Sequence, residues 1–285
     1  MNDDLSLDLP IEIDAEAALL EDVGTGDLTA ALVPAEQTAA ATVISRESAV
    51  ICGKPWFDEV FRQVDPSVAI DWAVAEGEHV EANQTLCTIS GLARPILTAE
   101  RSALNFLQLL SAVATAAGEY AALVAHTNAT ILDTRKTIPG LRLAQKYAVK
   151  TGGAENHRIG LYDAILIKEN HIIAAGGIAA AVSAARAVNA DVLVEVEVES
   201  LNEAEQAMNA KADRLLLDNF SNEQLREAVA LRDRIAQGIT LEASGGVNKD
   251  TVKDIAECGV DFISIGGLTK DVKAVDLSMR FKLSA

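Results

Sequence analysis

The sequence predicts an α/β protein in which a parallel sheet, closed into a barrel or doubly wound, follows a smaller N-terminal α/β domain. Six short β-branched runs in the second half carry the first part of this reading. They are Thr130 to Leu132, Ala164 to Ile167, Val192 to Val198, Arg214 to Leu217, Ile239 to Glu242 and Phe262 to Ile265. Amphipathic stretches separate them, which is the pattern of βαβ units. Helix punctuation falls in those gaps. Ser200 with Glu203, and Ser221 with Gln224, are spaced as capping boxes, and Gly238 and Gly259 stand where helices would end. The N-terminal part reads differently. Residues 42–53 and 68–90 look like short antiparallel strands with a tight turn at Glu76-Gly77. Residues 99–126 read as one long helix starting after Thr98, with apolar spacing at Leu104, Leu107, Leu110 and Val113. The expected domains are 1–112 and 113–274, with residues 275–285 packing back on the first.

Of 285 residues, 49% are apolar, enough for a large core and too many for a disordered chain. The 42 acidic and 24 basic residues leave a formal charge of −18. Such a surface repels phosphate backbones and anionic lipids, so nucleic-acid and membrane-surface roles are excluded. Three cysteines, Cys52, Cys87 and Cys258, show no metal-ligand spacing and fit a reducing compartment. The opening MNDDLSLDLP has no basic or apolar leader, and no run of about 18 apolar residues reads as a membrane span. The expected location is the cytoplasm.

The charge is not evenly spread. Between Asp133 and His171, seven basic residues meet four acidic ones, a net +3, while the rest of the chain carries −21. Arg142, Lys146 and Lys150 read as a solvated helix face. Arg135, Lys136, Arg158 and Lys168 do not, because they flank strand-like runs or glycines, where loops carry function.

In α/β barrels the active site lies at the C-terminal strand ends. Here all six runs end in polar or small residues: Asp133-Thr134-Arg135-Lys136, Lys168-Glu169-Asn170-His171, Glu197 to Glu199, Asp218-Asn219, Ser244-Gly245-Gly246, and Ser264-Ile265-Gly266-Gly267. Period-2 geometry sends Glu195, Glu197 and Glu199 to one face of their strand and the intervening valines to the other. Three carboxylates lining a barrel need cations, a metal or hydroxyls to satisfy them. The strand therefore reads as serving a site; the alternative for Glu195 is an internal salt-bridge layer with Arg135, Lys168 and their neighbours, and Glu197, nearer the rim, is the better candidate for a ligand contact. The glycine pairs at 245–246 and 266–267 close consecutive turns whose amides can approach an anion, the usual phosphate site of such barrels. The turn EGEHVEANQTLCTI is similar to turns of biotinyl and lipoyl carriers, but no lysine hairpin accompanies it.

Taken together, EDVGTGDLT (21–29), TAERSALNFLQLLSAVAT (98–115), DTRKTIPGLRLAQKYAVKTGGAENHRIGLYDAILIKENHI (133–172), EVEVES (195–200), LLLDNF (215–220), EASGGV (242–247) and ISIGGLT (263–269) closely resemble the quinolinate phosphoribosyltransferases, the carboxylating nicotinate-nucleotide pyrophosphorylases. The resemblance runs in order from about residue 10 to the C-terminus.

That resemblance implies an open, irregular α/β (TIM-like) barrel joined to an N-terminal α/β sandwich domain. It implies a homodimer in which Arg101 reaches the neighbouring subunit's site. The implied pentosyl transfer turns quinolinate and phosphoribosyl pyrophosphate into nicotinate mononucleotide, pyrophosphate and carbon dioxide with Mg²⁺, a step of NAD synthesis. Arg135, His157, Arg158 and Lys168 would hold the two carboxylates of quinolinate, with Thr134 beside them. Lys136 and Lys168 would face the donor, and Glu197 and Asp218 its ribose hydroxyls and, through water, the Mg²⁺. Ser244, Gly245 and Gly246, with Ile265, Gly266 and Gly267, would bind the 5-phosphate. Lys136, Lys168, a histidine or water could protonate the carbanion left by decarboxylation.

Overall fold

The computed structural model describes residues 7–283. From the N-terminus come α1 (Asp8–Asp22), β1 (Thr38–Ser45), β2 (Ala49–Val50), α2 (Lys54–Val64), β3 (Ala69–Trp72), β4 (His79–Val80), β5 (Thr85–Leu92) and α3 (Ala93–Val124). There follow β6 (Thr130–Leu132), α4 (Arg142–Thr151), β7 (Ile165–Ile167), α5 (Glu169–Ala175), α6 (Ile178–Val188), β8 (Val194–Val198) and α7 (Leu201–Asn209). The chain finishes with β9 (Arg214–Asp218), α8 (Asn222–Ile235), β10 (Thr240–Ser244), α9 (Val252–Ala256), β11 (Phe262–Ser264), α10 (Gly267–Lys270) and β12 (Leu277–Leu283). Two compact units result. One is the chain through Gly118, Thr137–Gly153 and the chain from Asp271; the other is Glu119–Lys136 with Ala154–Lys270. Residues 137–153, expected within the 113–274 span, therefore group with the first unit.

The first unit is built on an antiparallel sheet of order β12-β1-β5-β3. β12 pairs along β1 from Ala39↔Leu283 to Ser45↔Leu277, which is how the end of the chain returns to the N-terminal sheet. Alternation sends Ala39, Ala41 and Val43 inward. Trp56, Phe57 and Phe61 of α2 are fully buried or nearly so, each worth about 1.5–3 kcal/mol of apolar transfer. The Glu76 carboxylate accepts the Gly53 and Lys54 N–H groups at 2.7 and 3.2 Å, satisfying donors that the start of α2 leaves open.

α3 starts six residues before the expected position, because Pro95 lies in its first turn, where no intrahelical N–H is needed. By length and composition this helix could cross a membrane, but Ile96, Leu104, Leu107, Leu110 and Val113 are buried in the protein. A second correction concerns α4. Lys146 is fully buried, not solvated, and only Lys150 of the three expected surface cations is exposed.

The second unit holds six parallel strands in the order β6-β11-β10-β9-β8-β7. β6 and β7 end the ladder without pairing to each other, and Leu132 makes only a single parallel bridge to Glu155 on that side. This is the open, irregular barrel. Val194, Val196, Val198, Leu215, Leu217, Leu241 and Ile263 form its apolar layers. Both expected N-caps are present: Ser200 Oγ accepts the Glu203 N–H, and Ser221 with Gln224 forms the reciprocal box.

Candidate active site

At the end of β6, Asp133 is fully buried and accepts the His157 N–H at 2.9 Å and the Asn156 side-chain amide at 2.7 Å. That pins the segment carrying His157 and Arg158 to the strand carrying Arg135 and Lys136. Thr134 Oγ1 accepts the Lys136 N–H at 3.1 Å, and the buried Thr269 hydroxyl donates to the Lys136 carbonyl at 2.9 Å. A Cβ on Gly266 would sit 2.9 Å from Lys136 Cδ and 3.5 Å from Thr134 Oγ1, so glycine leaves room for the lysine stem. Arg158 donates to the Ala164 carbonyl at 3.2 Å. Burial, and then the neighbouring Arg135 guanidinium, push Arg158 below its ordinary range, while Glu195 and Asp163 pull the other way.

Lys168, at the end of β7, is the N-cap of α5, and its N–H donates to His171 Nδ1 at 2.9 Å. Its ammonium is hydrogen-bonded to Glu197 Oε2 on β8. Asp218 ends β9 directly opposite Ser244 of β10. Gly245 and Gly246 then turn with φ of +97° and +63°, both exposed. Ile265, whose N–H donates to the Leu132 carbonyl at 2.9 Å, leads into Gly266 and Gly267 after β11. Arg135, Lys136, Arg158, Lys168, Glu197, Asp218 and both glycine turns thus all stand on the second unit's strand ends and connecting loops. Arg101 belongs to the first unit, exposed on α3.

His157 departs from its expected place. Its Nε2 lies 2.9 Å from Glu195 Oε2 and 3.4 Å from Glu242 Oε2, its Nδ1 accepts the Arg158 N–H at 2.8 Å, and its side chain is 9% exposed. Nδ1 is engaged by the Arg158 N–H, and Nε2 lies beside the Glu195 and Glu242 carboxylates. Glu195 is the internal carboxylate of its strand, but it joins His157, Glu242 and Arg214 rather than Arg135 and Lys168. Glu199 lies past the strand end and is exposed.

Arg214 completes this layer, donating to Glu242 at 3.3 Å while its guanidinium stacks 4.0 Å from the centre of the Phe262 ring. Burial raises both carboxyls, and burial with the facing Glu195 takes Glu242 up to about 8. The spacing of His157, Glu195 and Glu242 would admit an ion. However, an Nδ1 that accepts a hydrogen bond leaves the hydrogen on Nε2, and Glu242, raised to about 8, holds its own proton near neutral pH, so this donor set does not suit a metal.

Glu197 and Asp218 suit one better. One oxygen of Glu197 goes to Lys168 and one of Asp218 to Asn219, and the second oxygen of each has no hydrogen-bond partner among the described residues. Such hard oxygen donors fit Mg²⁺.

Two supporting residues escaped the sequence reading. Arg214 shares the period-2 parity of Asp218, a usable signal that it faces the barrel interior. Thr269, on α10 beyond the glycine pair, carries no such signal.

Two family models cover almost the whole chain: the quinolinate phosphoribosyl transferase N-terminal domain over residues 27–111 and its C-terminal domain over residues 113–280. The solved nicotinate-nucleotide pyrophosphorylase of Francisella tularensis superposes with a TM-score of 0.93 at 45% identity, covering 96% of each chain. Among curated relatives, the chloroplastic nicotinate-nucleotide pyrophosphorylase [carboxylating] of Oryza sativa is 42% identical over 92% of this chain and 75% of its own. The probable enzyme of that name from Bacillus subtilis is 38% identical over 93% and 91%. From end to end of its two units, the chain belongs to the quinolinate phosphoribosyltransferase family.

Proposed function

We propose that the strand ends of the second unit bind quinolinate beside phosphoribosyl pyrophosphate, the chain catalysing the decarboxylating transfer that yields nicotinate mononucleotide, pyrophosphate and carbon dioxide in de novo NAD synthesis. The observation that carries this reading is the gathering of Arg135, Lys136, Arg158 and Lys168 at the strand ends and loops of one unit in a chain of net charge −18. Two guanidiniums offer planar forks that match planar carboxylates, and a dianion removes the repulsion between them.

Quinolinate's ring nitrogen attacks C1 of the ribose, and the C1–pyrophosphate bond breaks with its electron pair. Positive charge grows on the sugar in that step, and the carboxylates of Glu197 and Asp218 stabilise it. Lys136 and Lys168 balance the donor's phosphates, while the 245–246 and 266–267 turns offer amides to the 5-phosphate. Glu197 and Asp218 would hold Mg²⁺ through water, and it would supply charge neutralisation at the leaving pyrophosphate. After transfer the 2-carboxylate leaves as carbon dioxide, and its bonding pair remains on a ring carbon next to the cationic nitrogen until a proton arrives. Arg135 and Arg158 fix that carboxylate's orientation.

The enzyme is a homodimer in this proposal, with Arg101 serving the partner's site. Exposed apolar side chains support an interface: Leu28 and Leu32 in the first unit are 88% and 83% exposed, and Leu161 and Tyr162 in the second are likewise solvent-facing. Cytoplasmic location belongs to the same proposal.

The test supplies quinolinate, phosphoribosyl pyrophosphate and Mg²⁺ and follows nucleotide and carbon dioxide together. Equimolar release is expected. Turnover of nicotinate without carbon dioxide would assign the site to a nicotinate transferase instead, and borohydride trapping of a carbonyl substrate on Lys168 would assign it to a Schiff-base enzyme.

A further inference from the structure

Asn219 follows Asp218 at the end of β9 and is exposed, so no core packing requires it. Its backbone is nevertheless left-handed, with φ +57°, one of three such non-glycine residues among those described. That conformation is unfavourable for most side chains, and asparagine tolerates it best. Two hydrogen bonds fix it there. The Asn219 N–H donates to the Ser244 carbonyl at 2.9 Å, and its side-chain amide donates to Asp218 Oδ2 at 2.8 Å. Its other side-chain atom, Oδ1, sits against the glycine turn. A Cβ on Gly245 would lie 2.2 Å from Asn219 Oδ1 and 3.0 Å from its backbone nitrogen, a separation that real atoms do not reach.

One residue therefore touches both the carboxylate of the β9 end and the turn of the β10 end. We infer that Asn219 is a positioning residue for the phosphoribosyl donor: it fixes the Asp218 carboxylate and holds the Ser244–Gly246 turn in register with it. The inference rests on the proposal that Asp218 meets the ribose and the 244–246 turn the 5-phosphate. It also gives the absence of a side chain at Gly245 a second cause, because the space belongs to Asn219 and not only to the ligand. An ordinary loop-closing asparagine would need the bond to the Ser244 carbonyl alone. The bond to Asp218 and the fit against Gly245 point to the donor's two groups together.

The experiment compares Asn219→Gly and Asn219→Asp with the wild type in steady-state kinetics, varying each substrate in turn, alongside thermal melting. Glycine keeps the left-handed backbone and removes the side chain. Aspartate keeps shape and backbone preference but replaces the donor with a charge beside Asp218. The expected result is a rise of about ten-fold in KM for phosphoribosyl pyrophosphate with Asn219→Gly, a larger rise with Asn219→Asp, and a KM for quinolinate within about two-fold of wild type for both. An unchanged donor KM in both variants would overturn the role, as would equal increases in both KM values. A loss of melting temperature whose kinetic defect disappears on cooling would also overturn it, by making Asn219 a structural residue. Wild-type protein that turns over neither substrate overturns the reading of the site and this inference with it, whereas normal wild-type turnover beside unaltered variants overturns the inference alone.

Discussion

His157 Nε2 stands 2.9 Å from Glu195 Oε2, closed from solvent in a layer two residues below the rim that carries Glu197. The ring ties the 154–158 segment to β8 and, through Glu242 at 3.4 Å, to β10. Its position makes it a candidate support beneath the strand-end cations. Replacing it with alanine should lower stability by about 1–3 kcal/mol, the cost of removing the imidazole from between two buried carboxyls, and change the KM for quinolinate only a few-fold. A rise of about a hundred-fold in that KM at unchanged melting temperature would return His157 to the carboxylate clamp.

Glu242 sets a pH dependence. Burial and the facing Glu195 raise it to about 8 from an ordinary 4.5, so between those values the folded chain binds a proton that the unfolded chain has lost. Its contribution to stability is full below the ordinary value and is lost as pH rises through about 8. Glu242→Gln, always neutral, lacks that loss. Melting curves from about pH 5 to about pH 9 should show the variant gaining on the wild type as pH rises, by roughly 2–4 °C for each kcal/mol relieved. A gap that stays constant with pH would mean that the carboxyl is ionised throughout.

Arg135→Lys keeps the charge and removes the fork. Losing one charge-assisted hydrogen bond of the bidentate pair is worth about 1.5–3 kcal/mol, so kcat/KM for quinolinate should fall roughly ten- to a hundred-fold with the melting temperature unchanged. Wild-type kinetics would take Arg135 out of the clamp.

Arg101 tests the shared site. Arg101→Ala and Lys168→Ala homodimers should each be nearly inactive, and mixed dimers should regain up to about a quarter to a half of wild-type activity, since one of their two sites is intact. Verified heterodimers with no recovery would place Arg101 outside the neighbouring site.

The barrel was legible because its strands are short β-branched runs with few competing signals; predicted and observed limits for β6 to β11 agree within two residues. The start of α3 was obscured by Pro95, which reads as a breaker unless the first turn is already known. Lys146 was misread because charge and helical spacing do not say which face is covered. At the site, the gathering of Arg135, Lys136, Lys168, Glu197 and Asp218 at strand ends could be read from the ends of the β-branched runs. The place of His157 could not, because it depends on Glu195 and Glu242, far from it in sequence and brought beside it only by the fold of the sheet. Asn219 was visible as a strand-end residue, but its left-handed backbone and its fit against Gly245 are facts of three-dimensional crowding.

β12 has a consequence for how the molecule is made. It pairs along seven consecutive residues of β1, so the sheet begun near residue 38 lacks a strand until residues 277–283 leave the ribosome. During synthesis the β1 edge stays unpaired while the six barrel strands emerge in order, and an open edge is where nascent chains stick to one another. Truncation just before residue 277 would leave the basic rim untouched in sequence and yet deliver a chain with its first sheet unfinished.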